Sequence, residues 1–180
     1  MADIMKNLLL GVIASVVISA FHSCSGSGSK GAEIQTSEAA ARTVKITVVL
    51  PDGWEPVQGS VLEHQYMKNG ASFMIKEEKD LNGESLSEAV VTGRQQIEKY
   101  FKGSKFAGNE ALKVDGHDAV SLIFSYGVNA GNSVLNMKMK TVYVMVEGTC
   151  QTISFGSLED SFDSLSADIS KIIDGIKFGL

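Results

Sequence analysis

Cys24 has the most informative surroundings of any reactive side chain in this 180-residue sequence. It follows an apolar run, Leu8–Phe21, that begins shortly after Lys6, and it precedes the polar stretch SGSGSK. A charged start, a short apolar core and a small residue ahead of a processing point are the marks of an export signal. The run is shorter than the roughly 20 residues that a bilayer span needs. Cysteine directly behind Ser23 predicts a lipoprotein, in which Cys24 is acylated and becomes the new N-terminus. Phe21 and His22 depart from the residues usual before such a cysteine, and Asp3 is an unusual neighbour for the signal's lysine. Met5 gives a cleaner start. An uncleaved apolar anchor and ordinary secretion are the competing readings.

The remaining candidates read as structural. Cys150 falls in a strand pattern, where a free thiol packs as a small hydrophobe. A reactive thiol needs a cationic neighbour, and none is adjacent in sequence. If the lipid is absent, a Cys24–Cys150 disulfide is the alternative. His64 shares a strand face with Leu62 and Tyr66, and His117 follows a turn. No second ligand stands at metal spacing to either, so no metal or cofactor is expected. His117-Asp118 has the composition of half a catalytic pair, but no G-x-S-x-G or other nucleophile motif accompanies it. Glu77, Glu78 and Asp80, interrupted by Lys76 and Lys79, read as a solvated turn and not as a calcium loop. Met137, Met139 and Met145 have the spacing of one sheet face. Trp54 reads as a cap on the core at the end of the first strand. No catalytic residue emerges, so no enzyme is expected.

The elements that hold these residues follow from periodicity. Residues 1–24 are the signal and 25–42 a flexible glycine, serine and alanine linker. Residues 43–180 form one domain of ordinary size. A hydrophobic content of 44% supports a core, and the formal net charge is −5, with charges of both signs intermixed. Without a basic block, nucleic acid is not an expected partner. Thr43–Leu50 alternates as a strand and Pro51-Asp52-Gly53 stops it. Val61–Met67 and Ala71–Glu77 flank Asn69-Gly70, a hairpin signal. Ser85 and Glu88 have capping-box spacing and open a helix. Its face carries Leu86, Val90, Gly93, Ile97 and Phe101, with Gly93 placed for a close approach to a sheet. Strands follow at Glu110–Val114, His117–Tyr126, Ser133–Val146 and Thr149–Phe155, with Asp115-Gly116 a further hairpin signal and Glu147-Gly148 a turn. The half TVYVMV, apolar on both faces, predicts an interior strand. A final helix carries Leu158, Phe162, Leu165, Ile169, Ile172, Ile173 and Ile176 on one stripe. The order β-β-β-α-β-β-β-β-α predicts an α+β fold with a mostly antiparallel sheet of six or seven strands and two main helices.

Taken in order, several of these segments resemble a known family. They are LPDGW at Leu50–Trp54, SLSEAV at Ser85–Val90, VDGHDAVSLIFSY at Val114–Tyr126, VYVMVEGTCQTISF at Val142–Phe155 and the closing IKF at Ile176–Phe178. The pattern is similar to the PsbP-like fold of the photosystem PsbP proteins and the Ran-binding Mog proteins, and closer to bacterial envelope proteins of the DcrB type. Cys150 stands where that family often has an aromatic residue. The resemblance implies an α/β/α sandwich and no enzymatic activity. Together the readings predict a non-enzymatic protein anchored to the membrane through Cys24, facing the periplasm and contacting another envelope protein. A small-ligand carrier with a pocket between sheet and helix is the alternative.

Overall fold

The computed structural model describes residues 44–179. The expected signal, Cys24 and the linker lie outside the described residues. Val44–Leu180 forms one compact unit. Its strands are β1 (Lys45–Val48), β2 (Glu55–Pro56), β3 (His64–Lys68), β4 (Ala71–Glu77), β5 (Lys105–Val114), β6 (His117–Ala130), β7 (Ser133–Val146), β8 (Thr149–Leu158) and β9 (Ile176–Gly179). The helices are α1 (Leu86–Tyr100), the short α2 (Glu159–Phe162) and α3 (Ser166–Gly175). Single 3-10 turns stand at Lys79–Leu81 and Asp163–Leu165.

Seven strands form one antiparallel sheet in the order β2-β3-β4-β8-β7-β6-β5. Its hairpins turn where the sequence places them. Asn69-Gly70, Asp115-Gly116 and Glu147-Gly148 all have positive φ at both residues, the geometry of two-residue turns that match strand twist. β8 returns from the β6–β7 hairpin to lie between β7 and β4. It is therefore interior, as is β7.

Each face of the sheet buries its own core. On one face Phe73, Ile75, Val142, Val144, Ile153 and Phe155 pack with Phe162, Ile169, Ile172 and Ile176 from the C-terminal elements. On the other, Leu122, Phe124, Met139, Tyr143 and Cys150 pack with Ala89 and Ile97 of α1. The TVYVMV segment serves both: Val142, Val144 and Val146 face the first core, while Tyr143 and Met145 face the second. The sandwich is thus α+β with helices on both faces of an antiparallel sheet.

Three expectations are corrected. The last stripe is not one helix. Leu158 ends β8, the chain makes a turn of α2 and a 3-10 turn, and α3 runs only to Gly175. Ile176 then leaves helical geometry, at φ −78° and ψ 135°, and starts β9. A Cβ on Gly175 would come within 2.7 Å of the Val49 carbonyl oxygen. The glycine lets β1's end close on α3, with Val49 N–H donating to the Gly175 carbonyl at 3.1 Å. β1 does not join the main sheet. It pairs with β9 in a separate two-stranded ribbon over the first core. Strand β5 begins at Lys105, before Glu110, and carries a register shift between Phe106 and Gly108.

α1 starts with the expected capping box. Ser85 Oγ accepts from the Glu88 N–H, and the Glu88 carboxylate accepts from the Ser85 N–H at 2.9 Å. Gly93 provides the close approach. A Cβ there would stand 2.6 Å from Tyr143 Cε1 and nearer still to the ring's hydroxyl end. Gly93→Ala gains helix propensity of about 1 kcal/mol but overpacks the site, which typically costs about 1–3 kcal/mol. Urea unfolding should show net destabilisation. Ile172→Ala, at a fully buried position, should cost about 2–5 kcal/mol in the same assay.

Candidate functional site at the start of α1

The polar groups with the most unusual surroundings converge where the Lys79–Leu81 turn and the first turn of α1 meet the β7–β8 hairpin. The backbone ties these segments together. Glu78 N–H donates to the Cys150 carbonyl at 2.8 Å, and Gly83 N–H donates to the Gly148 carbonyl at 2.8 Å. Asn82 bridges them: its Oδ1 accepts from the Cys150 N–H at 2.8 Å and its Nδ2 donates to Glu77 Oε1 at 2.8 Å.

Inside this clasp lie Glu78, Thr152, Tyr143 and Cys150. Glu78 Oε2 accepts from Lys76 Nζ at 3.0 Å, with the carboxylate side chain 15% exposed. The Thr152 hydroxyl lies 3.3 Å from Glu78 Oε1. Burial raises Glu78 above the ordinary carboxylate value, and Lys76 offsets only part of that. Glu77 and Glu78 are therefore half-buried and not the solvated run suggested by their spacing, because Glu77 ends β4 and Glu78 is tied to Cys150 of β8. Asp80 alone of the three is exposed. Burial, with the Glu78 and Glu84 carboxylates near, pushes the Cys150 thiol up to about 12. At neutral pH it is a protonated, packed thiol, as its strand position implies. The same burial raises Tyr143. Sequence reading missed this grouping, because a turn and a hairpin distant in the chain bring it together.

Beside the clasp is an open groove of about 560 Å³ lined by Gly83, Glu84, Ser87, Glu88, Val91 and Thr92. Glu84 Oε2 is buried without a hydrogen-bond partner. Among the described residues, no group of three His, Cys, Asp or Glu side chains is placed to hold a metal ion.

The histidines lie elsewhere and apart. His64 stacks on Tyr66 with ring centroids 6.5 Å apart, and both its ring nitrogens are buried without partners. His117 sets its edge against Phe178 at 5.6 Å. Its neighbour Asp118 pairs with Lys113 at 2.7 Å, so the two do not form a catalytic pair. Trp54 is buried in the first core, where it was expected. Its Nε1–H donates to Asp168 Oδ2 at 2.9 Å, and Lys68 Nζ reaches the same oxygen at 2.7 Å. Those two donors, Lys68 first, hold Asp168 below the ordinary carboxylate range.

Opposite pH responses follow. Glu78 is raised in the fold, so as pH climbs past the ordinary carboxylate value the unfolded chain loses this proton first. Its contribution to stability is full in acid and falls as pH rises. Glu78→Gln should therefore gain stability relative to the parent between about pH 4 and about pH 7. Asp168 is lowered, so its contribution is present above the ordinary value and is lost in acid. Asp168→Asn should melt below the parent at neutral pH, with the gap closing in acid. Thermal melts across that range read both.

No protein-family model and no curated protein matches this sequence. Solved structures do match. LpqN, involved in cell envelope biogenesis of Mycobacterium tuberculosis, is 16% identical with a TM-score of 0.57, over 79% of this chain and 88% of that one. A protein of unknown function from Pseudomonas aeruginosa is 12% identical with a TM-score of 0.52, over 77% and 84%. The Ran-binding protein Mog1p of Saccharomyces cerevisiae is 12% identical with a TM-score of 0.51, over 73% and 89%. At these identities the likeness concerns backbone architecture. The chain has the PsbP/Mog1 fold that its strand and turn motifs resemble.

Proposed function

We propose that this chain is a non-enzymatic protein of a bacterial cell envelope. It is held at the membrane by a lipid on Cys24, faces the periplasm, and works by contact with another envelope protein. The carrying observation is that the thiol Cys150 and the His117-Asp118 neighbours, the candidates for nucleophilic or paired acid-base chemistry, are not arranged for it. Cys150 is buried among carboxylates and pushed up to about 12, whereas a nucleophile needs a lowered pKa or a base in reach. Asp118 is given to Lys113 and not to His117. The apolar run and the Ser23-Cys24 junction support export and acylation. The envelope role of LpqN, which has the same fold, supports the location.

Two experiments test this. In Cys24→Ser, incorporation of labelled fatty acid should vanish and an unprocessed precursor accumulate; equal labelling of the mutant would sink the anchor. A deletion strain should be complemented by His64→Gln combined with His117→Gln, but not by a soluble form without the lipid. A folded histidine mutant that fails while the soluble form succeeds would point to catalysis or carriage instead.

A further inference from the structure

We propose that two copies of this chain associate edge to edge through the outer end of the β6–β7 hairpin. The inference concerns self-association and stands apart from the identity of the envelope partner. β6 and β7 outrun their neighbours. β5 pairs with β6 only as far as Ser125, and β8 pairs with β7 only as far as Met137. Beyond those points, residues 127–130 and 133–136 pair only with each other among the described strands. The result is a two-stranded ribbon whose outer N–H and C=O groups have no strand beside them. Such edges are templates for another strand.

The other free edges are blocked in recognisable ways. β5 carries a register shift at Gly108 and the charges Lys105, Glu110 and Lys113. β2 is two residues long and contains Pro56. On β9, the Phe178 N–H is capped by Asp115 Oδ2 at 2.9 Å. Charges, prolines, bulges and short strands are how proteins prevent edge pairing. The ribbon has no charge, proline or register shift. From Tyr126 to Met137 there is no Lys, Arg, Asp, Glu or Pro. Val134 is 60% exposed, and Val128 and Leu135 are half-buried. The nearest charges are already engaged, Lys138 with Asp163 at 2.9 Å and Glu159 with the Ser125 hydroxyl at 2.7 Å.

A second copy fits this edge for two reasons. Each copy has a formal net charge of −5, so approach is repulsive where carboxylates face; here two copies meet without facing charges. A strand edge turned about a two-fold axis is antiparallel to itself and offers the complementary donor and acceptor pattern. Pairing Val134 with its own copy, and Ser133 with Leu135, across that axis sets the two exposed valines side by side on one face of the joined sheet. It also turns two ribbons into a four-stranded sheet. Edges this short bury far less than the roughly 800 Å² per partner of a stable interface, so the dimer is weak and reversible.

Sedimentation velocity of the full chain, from about 1 μM to about 1 mM, tests this against Val134→Lys and Val61→Lys. Val61 is 80% exposed on a separate loop. The parent and Val61→Lys should show concentration-dependent association, and Val134→Lys should lose it with an unchanged circular dichroism spectrum. If Val134→Lys misfolds, Asn136→Lys on the same exposed edge is read in its place. A photo-crosslinker at Ser133 in intact cells should give a product of doubled mass. A parent that stays monomeric, association that survives Val134→Lys, association lost equally in Val61→Lys, or crosslinks only to a protein of another mass would each overturn the proposal.

Discussion

The constraint on which the structure depends is the burial of both faces of one antiparallel sheet. An interior strand then has no solvent side, so β7 and β8 must be apolar or hydrogen-bonded on every residue. Val142, Val144, Ile153 and Phe155 commit one face, and Met139, Tyr143 and Cys150 the other. The backbone hydrogen bonds of β7 and β8 are shared by both cores. Loss of packing on either face therefore weakens the support of the other.

The two longer helices, α1 and α3, each meet a partner layer at a glycine, and the two glycines do different jobs. Gly93 removes a side chain so that α1 can lie on the Tyr143 ring. Gly175 removes one so that the backbone of β1's end can lie against the last turn of α3. The second contact makes β1 and β9 a lid over the first core rather than two more strands of the main sheet. Helices are usually located by their apolar stripe, but here a glycine, inside the stripe of α1 and at the end of α3, sets how closely the helix packs.

Polar side chains are spent on holding loops to these layers. Asp168 gathers Trp54 and Lys68 and fixes the β1–β2 loop to α3. Asp115, in the β5–β6 turn, takes Lys177 and the Phe178 N–H and fixes β9. Asn82 joins the end of β4 to the start of β8. A side chain engaged in this way is held in one geometry by several partners. Asp168, Asp115 and Asn82 thus act as fasteners between layers.

The sequence by itself determined what depends on neighbours in the chain. Hairpin turns need positive φ at two adjacent residues, so Asn69-Gly70, Asp115-Gly116 and Glu147-Gly148 were legible. The capping box at Ser85 and Glu88 is a matter of three-residue spacing. The two-sided apolarity of β7 announced an interior strand. Tertiary structure alone decided what depends on residues far apart. Ile176 continues the helical spacing of Ile172 and Ile173, and its burial is the same in a helix or a strand. Only the approach of Val49 to Gly175 and pairing with Val48 make it a strand. Glu78 reads as solvated beside Lys76, Lys79 and Asp80, and it is half-buried because β8 places Thr152 and Cys150 against it. The polar cluster at α1 was invisible for the same reason. Its members come from a turn, a helix start and a hairpin, and nothing in their own segments records that the sheet brings them within hydrogen-bonding distance.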